Sequence, residues 1–291
     1  MRWLLEPGLW TNDAVRTGVG VGAIVAIVSA LVGLFTVMRA QSFAGHALAD
    51  VATAGGAGAA VLGVSPLAGF VVGSLAGAGA MESIGVERVR QRDVATGVVL
   101  GGATGLSALF LYLITLNSSS TGSTQSILFG SLFSVSRTTF DVIAVLSSLV
   151  CLALAWLGRP LLFASLSPDA ANARGVAVTR VALLYTLLMA VTVGLSAIVI
   201  GSVLSTALLI GPPAAALRLG RGLSATFMSA AVFGVAAVIG GVVVSYDSYY
   251  WWPSKRALPV SFCVVAFVVI ELVVVNVVRR MTTRRDAREQ S

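Results

Sequence analysis

The residues best suited to chemistry in this chain are its single histidine, His46, and an aspartate four positions later, Asp50. In an α-helix, residues at this spacing share one face, with Cβ atoms about 5–6 Å apart. An imidazole beside a carboxylate provides half of a divalent-metal site. The same pair could instead hold two helices together by hydrogen bonds, or carry a proton. Spacing alone leaves these three interpretations open.

The sequence around the pair is that of a membrane protein. Of its 291 residues, 57% are hydrophobic and 11% are charged, and the mean hydropathy is +0.95, whereas a soluble domain has about 25% charged residues. We therefore predict an all-α, polytopic integral membrane protein in which residues 1–291 form a single transmembrane domain. The net charge of +7 comes mainly from arginines at the ends of apolar stretches, so nucleic acid is not an expected partner.

Nine apolar stretches approach the length of about 20 residues that a membrane-spanning helix requires. They are residues 15–37, 44–62, 67–84, 95–116, 140–163, 181–200, 203–217, 225–245 and 259–278. We predict eight or nine transmembrane helices, because the close pairs at 44–84 and 181–217 are the hardest to divide. The second stretch contains both His46 and Asp50, and ionisable groups inside a bilayer need a partner, a water-filled cavity or a function.

Three further acidic residues lie in or near these stretches. Glu82 and Asp141 are close to the predicted span ends, where a carboxylate reaches interfacial water. Glu271 is deeper in its stretch, and we expect a structural role for it, either paired with a neighbouring helix or protonated because burial disfavours its charged form.

Arginines follow alternate apolar stretches and predict an orientation. The positions are Arg39, Arg88, Arg90, Arg92, Arg174, Arg180, Arg218, Arg221 and the arginines of the tail after residue 278. Cytoplasmic loops carry the excess of basic residues, so we expect the N-terminus outside and the C-terminus in the cytoplasm. Arg137, Lys255 and Arg256 depart from this pattern.

A polar segment in the middle of the chain predicts a short helix on the cytoplasmic surface. Ser167 is suited to the N-cap, Pro168 to the first helical position and Gly175 to the C-terminal stop. An ordinary loop helix and a docking element for a soluble partner both agree with this pattern. Further along, Gly211, Pro212 and Pro213 predict a kink or a break, because proline lacks the amide hydrogen that a helix needs.

Several blocks together resemble the metal-type ABC transporter permeases, which import zinc, manganese or iron. The blocks are residues 37–39, 42–50, 127–132, 169–176 and 204–215. The resemblance implies a type II ABC importer-like permease in the bacterial inner membrane. It also implies a second permease subunit, two cytoplasmic ABC ATPase subunits that hold ATP, and an extracytoplasmic metal-binding protein. No tightly bound cofactor is expected, and the chain itself is expected not to be an enzyme.

The resemblance also assigns roles to individual residues. His46 and Asp50 occupy the two positions at which the family places an aspartate and a histidine that line the ion path, so the ligand types are kept and their order is reversed. The ATPase-coupling segment would comprise Ser167, Pro168, Asp169, Asn172, Arg174 and Gly175. The reversal leaves open a permease for a metal chelate or a small cofactor, and a stand-alone ion-coupled transporter is a further alternative.

Overall fold

The computed structural model of the protein describes residues 8–84, 89–117, 122–130, 132–220, 222–251 and 257–289, and these ranges are almost entirely helical. The helices are α1 (Asp13–Met38), α2 (Ser42–Val61), α3 (Pro66–Ile84), α4 (Val89–Asn117), α5 (Gly122–Phe129), α6 (Arg137–Leu166), α7 (Pro168–Ala173), α8 (Val178–Ile200), α9 (Ser202–Arg218), α10 (Leu223–Trp251) and α11 (Val260–Glu289). A short 3₁₀ turn, Leu132–Ser134, separates α5 from α6.

Six of these helices are long and apolar enough to cross a membrane: α1, α4, α6, α8, α10 and α11. The predicted all-α membrane architecture is therefore confirmed, but the predicted count of eight or nine spans is not. Each of the other three predicted stretches forms a helix, α2, α3 or α9. α9 has only 17 residues, and α2 includes His46, Asp50 and four glycines, which lower its mean hydropathy.

The core lies around α1 and α8. In their most apolar windows, 67% of the α1 residues and 61% of the α8 residues are buried, against 11% for α4. Apolar side chains of α1, α6 and α8 form one core cluster together with Ala47, Leu48 and Ala49 of α2. One side of α2 is thus fixed against the core, and His46 and Asp50 lie at the edge of that side.

Small residues bring α2 and α3 into backbone contact. A Cβ atom at Gly55 would collide with the carbonyl oxygen of Gly69 and with the Cα of Gly73. In lipid, such close approach is a main source of helix association, because there is no hydrophobic force between helices. The α2–α3 contact therefore depends on glycine at these positions and fixes the lateral position of the helix that carries His46.

The arginine-bearing helix ends meet at one end of the bundle. Arg39, just after α1, donates from Nη1 to the Ser165 hydroxyl near the end of α6, at 3.3 Å. The Phe35 ring, near the end of α1, lies 5.7 Å from the Phe227 ring, near the start of α10. Because α10 begins shortly after α9 ends at Arg218, the end of α9 is on this side too. The structure thus collects the ends of α1, α6 and α9 on one side, as the arginine pattern predicts.

At the opposite end, a glycine pair allows α8 and α9 to reverse direction sharply. Gly201, between the two helices, has φ +95°, and Gly130, after α5, has φ +78°. A side chain on either residue would strike the backbone of the other segment. Glycine adopts a positive φ without strain and has no side chain to obstruct this contact. The two glycines therefore allow the end of α5 to pack directly on the α8–α9 turn. α9 then continues through Pro212 and Pro213 to Arg218, which excludes the break; the alternative, a kink, stays a prediction.

Candidate functional site

His46 and Asp50 lie one turn apart on α2, at the edge of its buried face. His46 is exposed and Asp50 is half-buried, whereas Ala47, Leu48 and Ala49 between them are buried. Within the described part of the chain, no hydrogen bond or salt bridge joins the two side chains. The predicted pair is therefore on one helix and accessible, and its members take different partners.

The partner of His46 is on α9. Its Nδ1 atom lies 3.3 Å from the hydroxyl oxygen of Thr206, in the first turns of α9. Next to the histidine, Gly45 packs against the Leu209 side chain of α9 so closely that a Cβ atom at position 45 would collide with it. The absence of a side chain at Gly45 therefore brings the imidazole within reach of Thr206.

The partner of Asp50 is on α4. The Thr104 hydroxyl donates to Asp50 Oδ2 at 3.0 Å, and the Ser107 hydroxyl donates to the Asp50 backbone carbonyl at 3.2 Å. The two hydroxyls, one turn apart on α4, bind both the side chain and the backbone of the same residue. Sequence reasoning missed Thr104, Ser107 and Thr206, because a lone threonine or serine in an apolar stretch has no distinguishing pattern.

One copy of the chain offers only part of a metal site. Among the described residues, no three His, Cys, Asp or Glu side chains cluster closely enough to hold a metal ion. His46 and Asp50 supply one imidazole nitrogen and one carboxylate, and a divalent ion usually takes four or more protein or water ligands. Such an incomplete set suits transient contact with an ion better than a tight structural site.

The predicted surface helix is present as α7. It begins at Pro168 after the N-cap residue Ser167 and ends before Arg174, and Gly175 follows with φ +80°. Ser167 is the N-cap residue, as predicted, although its side chain makes no capping hydrogen bond. Asp169, Asn172 and Arg174 are all exposed, so the helix presents a polar face of both charge signs to the outside of the bundle.

A buried polar network, which sequence reasoning also missed, connects this segment to α1. The Arg39 guanidinium carbon lies 5.5 Å from the centre of the Tyr185 ring. The Tyr185 hydroxyl lies 2.6 Å from that of Thr36 and donates to the Val32 carbonyl at 3.0 Å. With the Arg39–Ser165 bond, the network joins the α6–α7 junction to the short turn that precedes α2.

The other acidic residues are separate from the pair. Glu82 lines a cavity of about 360 Å³ near α7, together with Arg39 and Asp93. Asp141 is exposed near the start of α6. Oε2 of Glu271 is buried without a hydrogen-bond partner among the described residues. The structure therefore brings none of these three to His46.

The fold and the polar pair define a helical membrane protein with accessible ionisable groups on an internal helix. Residues 12–282 match the ABC 3 transport family, and the chain belongs to that family. It is 30% identical to the manganese transport system membrane protein MntC of Halalkalibacterium halodurans over 226 residues, which cover 77% of this chain and 76% of that protein. It is also 26% identical to the high-affinity zinc uptake system membrane protein ZnuB of Haemophilus influenzae, covering 78% and 87%.

Solved structures share the fold. PsaBC from Streptococcus pneumoniae, in complex with Fab, matches with a TM-score of 0.75 at 23% identity, covering 92% of each chain. An inward-facing structure of a putative metal-chelate type ABC transporter matches with a TM-score of 0.72 at 15% identity, covering 94% of this chain and 92% of the other. The resemblance to metal-type ABC permeases is thereby confirmed, and the chain is a multi-pass membrane permease.

If the face of α2 with the candidate ligands borders water, cysteines placed there will react with polar reagents, because thiolate forms in water and not in hydrocarbon. In a background lacking Cys151 and Cys263, we expect His46→Cys and Asp50→Cys to react with a water-soluble methanethiosulfonate. The control is Leu152→Cys, in the middle of α6, where the native side chain is 68% exposed among apolar residues. Equal resistance of all three cysteines would contradict a water-filled path at α2.

Proposed function

We propose that this chain is the membrane-spanning subunit of an ATP-driven importer for divalent metal ions, with manganese or zinc as the transported substrate. The observation that carries the proposal is an accessible imidazole and carboxylate on α2, in a chain of the ABC 3 transport family. The names of the MntC and ZnuB relatives support manganese and zinc. Iron, the third ion suggested by the sequence resemblance, suits the same ligand types.

His46 and Asp50 are the proposed contacts for the ion. Each side chain binds a hydroxyl from a different helix through one atom only, so that its second ring nitrogen or carboxylate oxygen stays available. The ring of His46 is exposed and keeps one nitrogen without a partner in the described residues. We infer that the free atoms of the two side chains face the transport path.

A second copy of the chain completes the proposed path. His46, Thr104 and part of Asp50 are accessible, on helices that in this proposal lie within the membrane, where polar groups facing lipid are costly. Beside Thr104, Gly97 and Gly101 of α4 have open space where a side chain would be, which allows a neighbouring helix to approach closely. A two-fold dimer would bring two imidazoles and two carboxylates to a central ion.

The remaining parts of the proposal concern topology and energy supply. We propose that residues 1–291 form one transmembrane domain, with α2, α3 and α9 also crossing the membrane inside the bundle to give nine spans. The arginine-bearing ends would lie in the cytoplasm of a bacterial cell, as would the C-terminus. Cytoplasmic ABC ATPase subunits would bind ATP and dock on the coupling segment 167–175, and an extracytoplasmic metal-binding protein would deliver the ion.

The ligand proposal is tested by metal uptake in cells that lack their own high-affinity importers. We expect His46→Ala and Asp50→Ala to abolish uptake of radioactive manganese or zinc at limiting concentration, since each removes half of the ligand set. The control is Asp141→Ala, which removes an exposed carboxylate of α6 away from the pair. Unchanged uptake in both ligand variants, at normal amounts of protein in the membrane, would contradict the proposal.

The coupling proposal is tested by reversing exposed charges on α7. We expect Asp169→Arg and Arg174→Glu to weaken co-purification of the ATPase subunits and to lower transport-linked ATP hydrolysis, because these side chains form the polar face of α7. The matched control is Arg137→Glu, an exposed charge at the start of α6, at the opposite end of that helix. Equal co-purification of all three variants would exclude α7 as the docking element.

A further inference from the structure

Each proposed ligand on α2 is bonded by a threonine hydroxyl that belongs to another helix. Thr206 of α9 lies 3.3 Å from Nδ1 of His46, and Thr104 of α4 lies 3.0 Å from Oδ2 of Asp50. These threonines are 160 and 54 residues away from their partners along the chain. They are the side chains whose hydrogen bonds decide which atoms of His46 and Asp50 remain available.

Thr206 bonds to another helix, unlike several other threonines within the described helices. A threonine in a helix commonly donates its hydroxyl proton to the carbonyl four residues earlier, as Thr53, Thr186 and Thr192 do here. Thr206 makes no such bond within the described part of the chain, and its hydroxyl is placed against His46 instead. Its position therefore serves the imidazole and not its own helix.

The bond to Thr206 determines which nitrogen of His46 can bind a metal ion. When the Thr206 oxygen accepts a proton from Nδ1, that tautomer leaves a lone pair on Nε2. A hydrogen bond to the second nitrogen of a ligating histidine also fixes the orientation of its ring. Nε2 has no hydrogen-bond partner among the described residues, and the ring is exposed. Thr206 thus engages Nδ1 and leaves Nε2 as the ring nitrogen that can reach a metal ion.

Thr104 has the corresponding effect on Asp50. It engages Oδ2, while Oδ1 makes no hydrogen bond within the described residues. Its hydroxyl oxygen also lies 2.8 Å from the Leu100 carbonyl, so one proton is shared between a carboxylate and a backbone acceptor. Ser107 holds the backbone of Asp50 against the same helix. The carboxylate is therefore held by α4, with Oδ1 left for an ion.

We propose that Thr104 and Thr206 are positioning residues for the transported metal ion, which select Oδ1 of Asp50 and Nε2 of His46 as the atoms that contact it. The proposal rests on the proposed function of the pair as ion ligands. Because the two hydroxyls belong to α4 and α9, the affinity of α2 for the ion depends on the positions of both helices. A shift of either helix relative to α2 releases one ligand from its orientation.

The test measures initial rates of manganese and zinc uptake against ion concentration, for the full transporter in cells. Loss of a hydrogen bond that orients a ligand typically weakens metal affinity about 10- to 100-fold. We expect Thr206→Val and Thr104→Val each to raise KM by at least about 10-fold, with a much smaller change in the maximal rate. Thr206→Ser and Thr104→Ser keep the hydroxyl and are expected to restore KM to near the native value.

Two other helical threonines serve as matched controls. Thr115→Val removes a hydroxyl of α4 that bonds only to the Tyr112 carbonyl, and Thr186→Val removes a hydroxyl of α8 that bonds only to the Ala182 carbonyl. Both are expected to keep the native KM. Thr206→Ala and Thr104→Ala remove the hydroxyl without adding a methyl group, and they replace the valine variants if those fail to reach the membrane.

Three results would overturn the positioning role. They are a native KM in the variants without the hydroxyl, a fall in the maximal rate with no change in KM, and a serine variant that does not restore KM. These results would leave the ligand proposal intact, provided that His46→Ala and Asp50→Ala still abolish uptake. If the two ligand variants themselves transport normally, the proposed function fails first and the positioning role with it. The two failures are thus distinguishable in one assay.

Discussion

The cost of placing ionisable side chains among the apolar helices of a membrane protein is the constraint on which the rest of this structure depends. His46 and Asp50 lie on a helix among apolar neighbours, where a charge or an unpaired polar atom is expensive. The bundle meets this cost with single hydroxyls from α4 and α9, which bond one atom of each side chain and leave the other accessible. A fully bonded pair would be more stable but could not bind a transported ion.

The packing around α2 follows from the same requirement. Gly55 brings α2 against α3, and Gly45 brings it against α9, so the helix is held on two sides by contacts that larger residues would prevent. Its buried face, Ala47 to Ala49, has almost no exposed surface. Fixed in this way, α2 holds the two proposed ligands within reach of the hydroxyls of α4 and α9.

Much of the helical framework could be predicted from sequence, because apolar stretches of about 20 residues form helices wherever lipid surrounds them. The short helix α7 was also predictable, since Pro168 and Gly175 are local signals for its start and end. The number of spans is harder to predict, because His46 and Asp50 lower the hydropathy of α2 and because α9, which begins just after Gly201, has only 17 residues. Local signals cannot find Thr104 or Thr206, which reach the pair only through tertiary packing across 54 and 160 residues.

Conduction of free divalent metal ions by this chain in an ATP-driven complex can be measured after reconstitution in vesicles with its ATPase subunits and metal-binding protein. The quantity to follow is the accumulation of manganese and zinc. Accumulation of the free ion is expected only when the permease, the ATPase and ATP are all present. Accumulation by the permease alone, or of a metal chelate but not the free ion, would contradict it.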